Sequence, residues 1–350
     1  MNSWLELSFD EAAERLKAAG YPSYRTAQLY PWIVRGATWD EMTNLPRDMR
    51  EQLKQTSVVN PVGIRSTHRS RLDDTEKFLF ELADGNLIEG VLMRYHHGNS
   101  LCVSTQVGCR MGCAFCASTL EGCVRDLTAG EMLGQVVAAN RHLGDAKVRN
   151  VVLMGSGEPL DNYDNTVRFL RLAIDARGLN LSIRGISLST CGLVPGIRQL
   201  AGEGLPVTLC ISLHAPNDAI RGQLLPVARA YPIDQLIAAC RDYVGATGRR
   251  VIFEYALIDG VNCLPEHADE LAGLLRGLQC HVNLIPLNPI AERGLRPPSG
   301  ATIDRFIDRL ARRRISVTKR RSLGEDIQGA CGQLRRGALS EREETGESPG

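Results

Sequence analysis

The sequence carries almost no net charge, no long hydrophobic run and no stretch patterned like a secretory leader, and each absence argues against a class of function. Lys and Arg number 41 against 40 Asp and Glu, leaving +1 over 350 residues. No global field draws in a polyanion, so any nucleic-acid contact must come from local patches. No apolar run reaches the roughly 18 residues that a membrane-spanning helix needs. The N-terminal MNSWLELSFDEAAERL is amphipathic and acidic. It lacks the charged segment and apolar stretch of a signal peptide. These absences predict a cytosolic protein, whose thiols stay reduced. In that setting the 11 cysteines read as metal ligands or catalysts before they read as disulfides. A second C-x2-C pair is missing too, which weakens a structural zinc site.

What is there is ordinary in bulk and specific in pattern. A hydrophobic content of 43% and this length suit a large core domain with a smaller one. FDEAAERLKAAG and PSYRTAQLYPWIVRG have apolar residues at helical spacing and stop at Gly20 and Gly36. Asn44-Leu45-Pro46 interrupts, and Arg47 to Gln55 predicts a third helix. SVVNPVGIRSTHRS, TEKFLFELADG and NLIEGVLMRYHHGNS read as strands, with Asp84-Gly85 as a hairpin signal. From Leu101 strand-like and helical runs alternate through about six β/α units to a trailing ISVTKR strand. That rhythm predicts a parallel sheet with right-handed crossovers. The expected domains are a helical accessory domain (1–58), a β-hairpin extension (59–100), a β/α core (101–336) and a disordered tail (337–350). In barrels of this kind chemistry collects at the C-terminal strand ends. Glu158, Ser189, Ser212, His214 and Asn288 all fall there.

VSTQVGCRMGCAFCAS holds Cys109, Cys113 and Cys116 as C-x3-C-x2-C, directly after the first core strand. Three thiolates can hold three irons of a [4Fe-4S] cluster and leave the fourth open. Zinc, or three buried apolar cysteines, are the competing readings. Gly108, Gly112 and Arg110 around the array do not look like a strand or helix core. The spacing, with Phe115 before the third cysteine, resembles the radical S-adenosylmethionine (SAM) superfamily, in which SAM binds the open iron. The fold that this resemblance implies is α/β, a partial (β/α)6 radical-SAM barrel. MGSGEPLDN, LSTCG, ISLHAPN, GRRVIFEYALIDGVN, HVNLIPLNP and GEDIQGACGQL follow in order. Together they resemble the RlmN/Cfr family of RNA methyltransferases, over roughly residues 5–336.

The resemblance implies a reaction and a set of roles. Adenine C2 is electron-poor, so a nucleophile-based methyl transfer fails there. The family first moves a methyl group to a cysteine, a good nucleophile as thiolate. By resemblance that residue is Cys331, the resolving thiol is Cys102, and the proton acceptor is Glu89. The apolar flanks of Glu89 (Leu87, Ile88, Val91 and Leu92) favour a raised pKa, which suits proton abstraction. Without the resemblance, Cys102 reads as a small core hydrophobe and Glu89 as a solvated strand carboxylate. Gly157, Glu158, Ser189, Ser212, Leu213, His214 and Asn288 match SAM-lining positions, with Ser156 where relatives more often carry an apolar residue. The implied substrates are adenine 2503 of 23S rRNA and adenine 37 of tRNA, methylated at C2, with Cfr-like C8 methylation as the alternative. An electron donor such as flavodoxin is implied, and a monomer is expected. The target base must leave its stack to reach a barrel mouth. Arg305, Arg309, Arg312, Arg313, Arg314, Lys319, Arg320 and Arg321 precede Cys331, and Arg335 and Arg336 follow it. Some of these, with Arg25 and Arg35 more weakly, are expected to contact phosphates.

Overall fold

The first third of the chain builds a helical module and an antiparallel hairpin, and the rest repeats strand and helix. The computed structural model describes residues 2–287, 294–321 and 323–327. Helices α1 (Phe9–Ala18), α2 (Tyr24–Val34) and α3 (Arg47–Thr56) form the module. Ser8 opens α1 with a capping box, its hydroxyl accepting from Glu11 N while the Glu11 carboxylate accepts from Ser8 N at 2.7 Å. Leu16, Leu29, Ile33, Met49 and Leu53 turn inward from the three helices.

Ten strands form one sheet. Strands β1 (Val62–Arg69), β2 (Glu76–Leu82), β3 (Leu87–Tyr95) and β4 (Gly98–Val103) are antiparallel neighbours. Gly85 takes a left-handed φ of 80° in the Asp84-Gly85 turn between β2 and β3. From β4 the sheet continues in parallel through β5 (Val148–Leu153), β6 (Ile186–Thr190), β7 (Thr208–Ser212), β8 (Val251–Leu257), β9 (Cys280–Pro286) and β10 (Val317–Lys319). The six expected β/α units are present, with crossover helices α4 (Ala129–Leu143), α5 (Tyr163–Ile174), α6 (Val194–Ala201), α8 (Ile233–Thr247), α9 (Pro265–Leu274) and α10 (Gly300–Arg312). A seventh helix of the core, α7 (Asp218–Leu224), lies before α8. Extension and core share β4, so the sheet runs unbroken between them.

Strand alternation sorts side chains into two sets. Phe78, Phe80, Ile88, Leu101, Val151, Leu188, Leu209, Phe253 and Leu284 pack in the main core with the helices. The alternate residues, among them Lys77, Glu89, Cys102, Ser189, Ser212, Glu254 and Asn283, line the inner face. Helix α4 is buried at every residue from Ala129 to Asn140. It is sandwiched, since the sheet covers one side and the module the other. Arg141 Nη1 donates to Gly36 O at 2.8 Å, and Asn60 Nδ2 donates to Gly134 O at 3.1 Å. Among the described residues no helix is long and apolar enough to cross a membrane.

Candidate active site

The three clustered cysteines sit on a loop held at both ends. A short antiparallel ladder, Gln106–Gly108 with Cys123–Asp126, closes it. Gly108 has φ 83°, and a Cβ there would lie 2.0 Å from Gly122 O, so no other residue fits. Ala114 N donates to Leu224 O at 2.9 Å, while Met111, Cys113 and Phe115 pack against Leu224, Leu225, Ile258 and Leu287. Arg110 Nε pairs with Asp161 at 2.9 Å. Burial pushes the Cys109 thiol up to about 12, and burial together with neighbouring thiolate charge also pushes Cys113 up. A cationic centre bound by sulfur reverses that, because ligation deprotonates a thiol outright. Among the described residues no three His, Cys, Asp or Glu side chains converge to hold a single metal ion. With three thiols on one loop and no second C-x2-C pair in the sequence, the residues fit an iron–sulfur group better than a four-ligand zinc site.

Gly157 and Glu158 lie beside this loop. Gly157 has φ 110°, and a Cβ would come within 2.7 Å of Gln106 N. Gln106 ties the two elements: its Oε1 accepts from Glu158 N at 2.8 Å and its Nε2 donates to Asp126 and Asp161. The Glu158 carboxylate accepts from Cys191 N at 2.7 Å and Leu160 N at 3.1 Å. Burial pushes its carboxyl up despite those donors. Ser156 Oγ is 3.0 Å from Ser118 Oγ, linking this strand end to the turn after Cys116.

His214 is buried with a left-handed φ of 55°. Its Nδ1 accepts from Ala256 N at 2.9 Å, which leaves the proton on Nε2 and fixes one tautomer. Burial, and then the charge of Arg221, lowers its pKa to about 3. Phe115 meets the ring edge-on at 4.6 Å, so the cysteine loop and this strand end touch. Ser189 and Ser212 alternate onto the inner face of β6 and β7. The Leu213 side chain points the other way, into the helix-covered core; only its backbone can meet a ligand. Asn288 lies outside the described residues.

Glu89 and Cys102 occupy adjacent inner-face positions of β3 and β4, because Val91 is the register partner of Cys102. Leu87, Ile88, Val91 and Leu92 beside Glu89 are all buried, and to these apolar flanks the structure adds a charged neighbour. Lys77 Nζ lies 3.3 Å from Glu89 Oε2, and their side chains are 0% and 4% exposed. Cys102 is 7% exposed and packs with Val91 and Met93, against Tyr95, Val152, Met154 and Leu323. Leu323 belongs to the C-terminal segment, which the β1–β2 turn grips. Ser70 Oγ and Arg71 N both donate to the Asp326 carboxylate at 2.7 Å, and Gly324 N donates to Asp73 at 2.9 Å. Cys331 itself lies outside the described residues.

The basic residues divide by use. Arg309 and Arg313 both pair with Asp269 at the α9–α10 contact, and Arg305 donates to Thr302 Oγ1. Arg320 follows β10, where its charge opposes the upward push of burial on Glu254. Arg25 lies over exposed Tyr24 and Arg35 over Trp32. Arg335 and Arg336 lie outside the described residues. Three buried polar residues at the site escaped sequence reasoning: Lys77, Arg221 and Asn262. Arg221 Nη2 donates to Cys191 O at 2.6 Å. Asn262 Nδ2 donates to His214 O and Ala256 O at 2.7 Å. The DGVN tetrapeptide flagged the segment of Asn262 but not this bracing of two strand ends.

Comparison with known proteins agrees with this geometry. The model of the Radical SAM superfamily matches residues 103–274. A protein of Alkaliphilus oremlandii named probable dual-specificity RNA methyltransferase RlmN is 51% identical over 95% of this chain and 97% of its own. One of the same name from Lachnospira eligens is 48% identical over 97% of each. The crystal structure of a radical SAM methyltransferase from Sphaerobacter thermophilus superposes with a TM-score of 0.92 at 48% identity, covering 95% of this chain and 99% of the other.

Proposed function

The chain belongs to the RlmN family of radical SAM RNA methyltransferases, and from that premise we propose that it methylates C2 of adenine 2503 in 23S rRNA and of adenine 37 in tRNA through an S-methyl group on Cys331. The observation that carries the reading is the shared wall: Glu89 and Cys102 lie on one inner face, and Leu323, in the segment leading to Cys331, packs against the cluster that holds Cys102.

Cys109, Cys113 and Cys116 hold a [4Fe-4S] cluster, and Gly157, Glu158, Ser189, Ser212, His214 and Asn288 line SAM. Bound there, cluster and SAM would supply what amino acids lack: a methyl group for a thiolate, a carbon radical that takes a hydrogen atom from that methyl group, and a sink for the electron released when the adenine ring regains its aromaticity. The Cys331 methylene then bonds to C2 and joins protein to RNA. Glu89 accepts the C2 proton. The Cys102 thiolate attacks the Cys331 sulfur; an S–S bond forms as the S–CH2 bond breaks. The bonding pair stays on the methylene carbon, which takes a proton and leaves as the product methyl group. His214, with Nε2–H fixed, serves as a donor and not as a base. Arg320 and its neighbours contact the RNA backbone, an electron donor such as flavodoxin delivers the electron, and the enzyme works in the cytoplasm.

Replacing Cys102 with Ala removes the attacking thiol but not the methyl carrier. The expected product of anaerobic turnover is a covalent protein–RNA adduct on a denaturing gel. Free methylated RNA from Cys102→Ala would refute the assigned thiol roles. Mass spectrometry of RNA released by the unsubstituted enzyme should give 2-methyladenosine; 8-methyladenosine would move the target carbon.

A further inference from the structure

The inner wall pairs two charges where water does not reach, and the mechanism so far uses only one of them. Lys77 and Glu89 sit on neighbouring antiparallel strands. The register partners are Lys77 with Val91 and Leu79 with Glu89, so the two charged residues are diagonal on one face. Diagonal positions lie within reach of a long side chain, and the contact closes at 3.3 Å. The flanking Phe78 and Phe80 turn to the opposite, helix-covered face. A buried carboxylate with an ammonium at this distance is compensated, and removing the cation leaves an uncompensated buried charge.

We propose that Lys77 is the positioning residue of the proton-transfer step: from the strand on one side of Glu89, with the Cys102 strand on the other, it fixes the Glu89 carboxylate in one place on the wall, where that group takes the C2 proton. The inference rests on the reading of Glu89 as proton acceptor. Lys77 does not touch RNA or cofactor in this role; it acts through Glu89. Methyl loading of Cys331 and hydrogen-atom abstraction precede proton removal, so neither depends on Lys77. Adduct resolution follows it, and does.

The test uses reconstituted, full-length enzyme with SAM, reductant and rRNA fragment, comparing Lys77→Met, Lys77→Gln, Lys77→Arg and Glu89→Gln. Three readouts separate the steps: S-methyl Cys331 by peptide mass, 5′-deoxyadenosine release, and the fraction of RNA bound covalently. Lys77→Met should load methyl and release 5′-deoxyadenosine at the normal first turnover. Its adduct should resolve about tenfold or more slowly, a part of the roughly 10²–10⁴-fold that a general base contributes. Lys77→Arg should restore most of the resolution rate, and Lys77→Gln, which keeps a donor without the charge, should not. Adding Lys77→Met to Glu89→Gln should slow resolution no further than Glu89→Gln alone. Normal resolution in folded Lys77→Met or Lys77→Gln, or an equal additional slowing in the double variant, would overturn the proposal. Normal resolution in Glu89→Gln would instead overturn the assignment of Glu89, and the role of Lys77 with it. If Lys77→Met does not fold, Lys77→Gln and Lys77→Arg carry the same comparison.

Discussion

At the scale of single residues, the site is set by what buried polar atoms are made to do. His214 shows it. The fold holds its pKa at about 3, against about 6.5 for an unfolded histidine. Between those values the unfolded chain binds a proton that the folded chain refuses, so stability is full above the upper value and falls as pH drops through the window. The expected loss from His214 alone is about 2 kcal/mol between pH 6.5 and 5. His214→Asn, which tolerates the left-handed backbone, should flatten that part of the curve. Urea melts of the two proteins at both pH values would check this, and equal slopes would contradict it. Glu89 and Cys102 were legible as site residues only through resemblance. Lys77 was not legible at all, because a lysine in TEKFLFEL looks like the solvated side of a strand until the register shows which face is closed. Asn262 and Arg221 escaped for a similar reason, since their partners are backbone carbonyls brought near by tertiary structure.

At the scale of elements, what the sequence made readable was what each segment encodes locally. The six β/α repeats carry their own periodicity and breakers, and the Asp84-Gly85 turn its own dipeptide, so all appear where expected. Helix α7 spans only seven residues, too few to show a period. The ladder around the cysteine loop pairs Gln106 with Asp126 across the loop it closes, and no local pattern announces it. The grip of the β1–β2 turn on the C-terminal segment is likewise long-range, with Asp326 meeting Ser70 and Arg71. Asp326→Ala removes the acceptor for two of those donors. It should speed amide hydrogen exchange in residues 323–327 while leaving exchange in β3 and β4 unchanged, since local opening needs only local contacts to be lost. Unchanged exchange in that segment would show that Asp73 and Leu323 suffice.

At the scale of the whole molecule, one core reaches from the N-terminal module into the barrel. Trp4, Leu29 and Met49 belong to the same cluster as Val136, Leu188 and Phe306. Helix α4 is the shared member, wrapped on both sides, and a helix buried all round has no face prepared for water. Deleting residues 1–58 should therefore not yield a tidy catalytic core. The truncated protein should bind a hydrophobic dye and aggregate, checked by fluorescence and size exclusion. A soluble, dye-negative product would mean that the module is dispensable to folding.

The hairpin of β2 and β3 has a final consequence. Gly90 leaves room for the Phe80 ring, whose Cε2 would lie only 2.5 Å from a Cβ there. A slip of β2 by one residue would turn its side chains to the opposite face, driving Lys77 under the helices and pushing the rings of Phe78 and Phe80 into the cavity. The space left by the missing methyl group at Gly90 is filled by the Phe80 ring in the native alignment, so a slipped ribbon would lose both that fit and the sidedness of its wall.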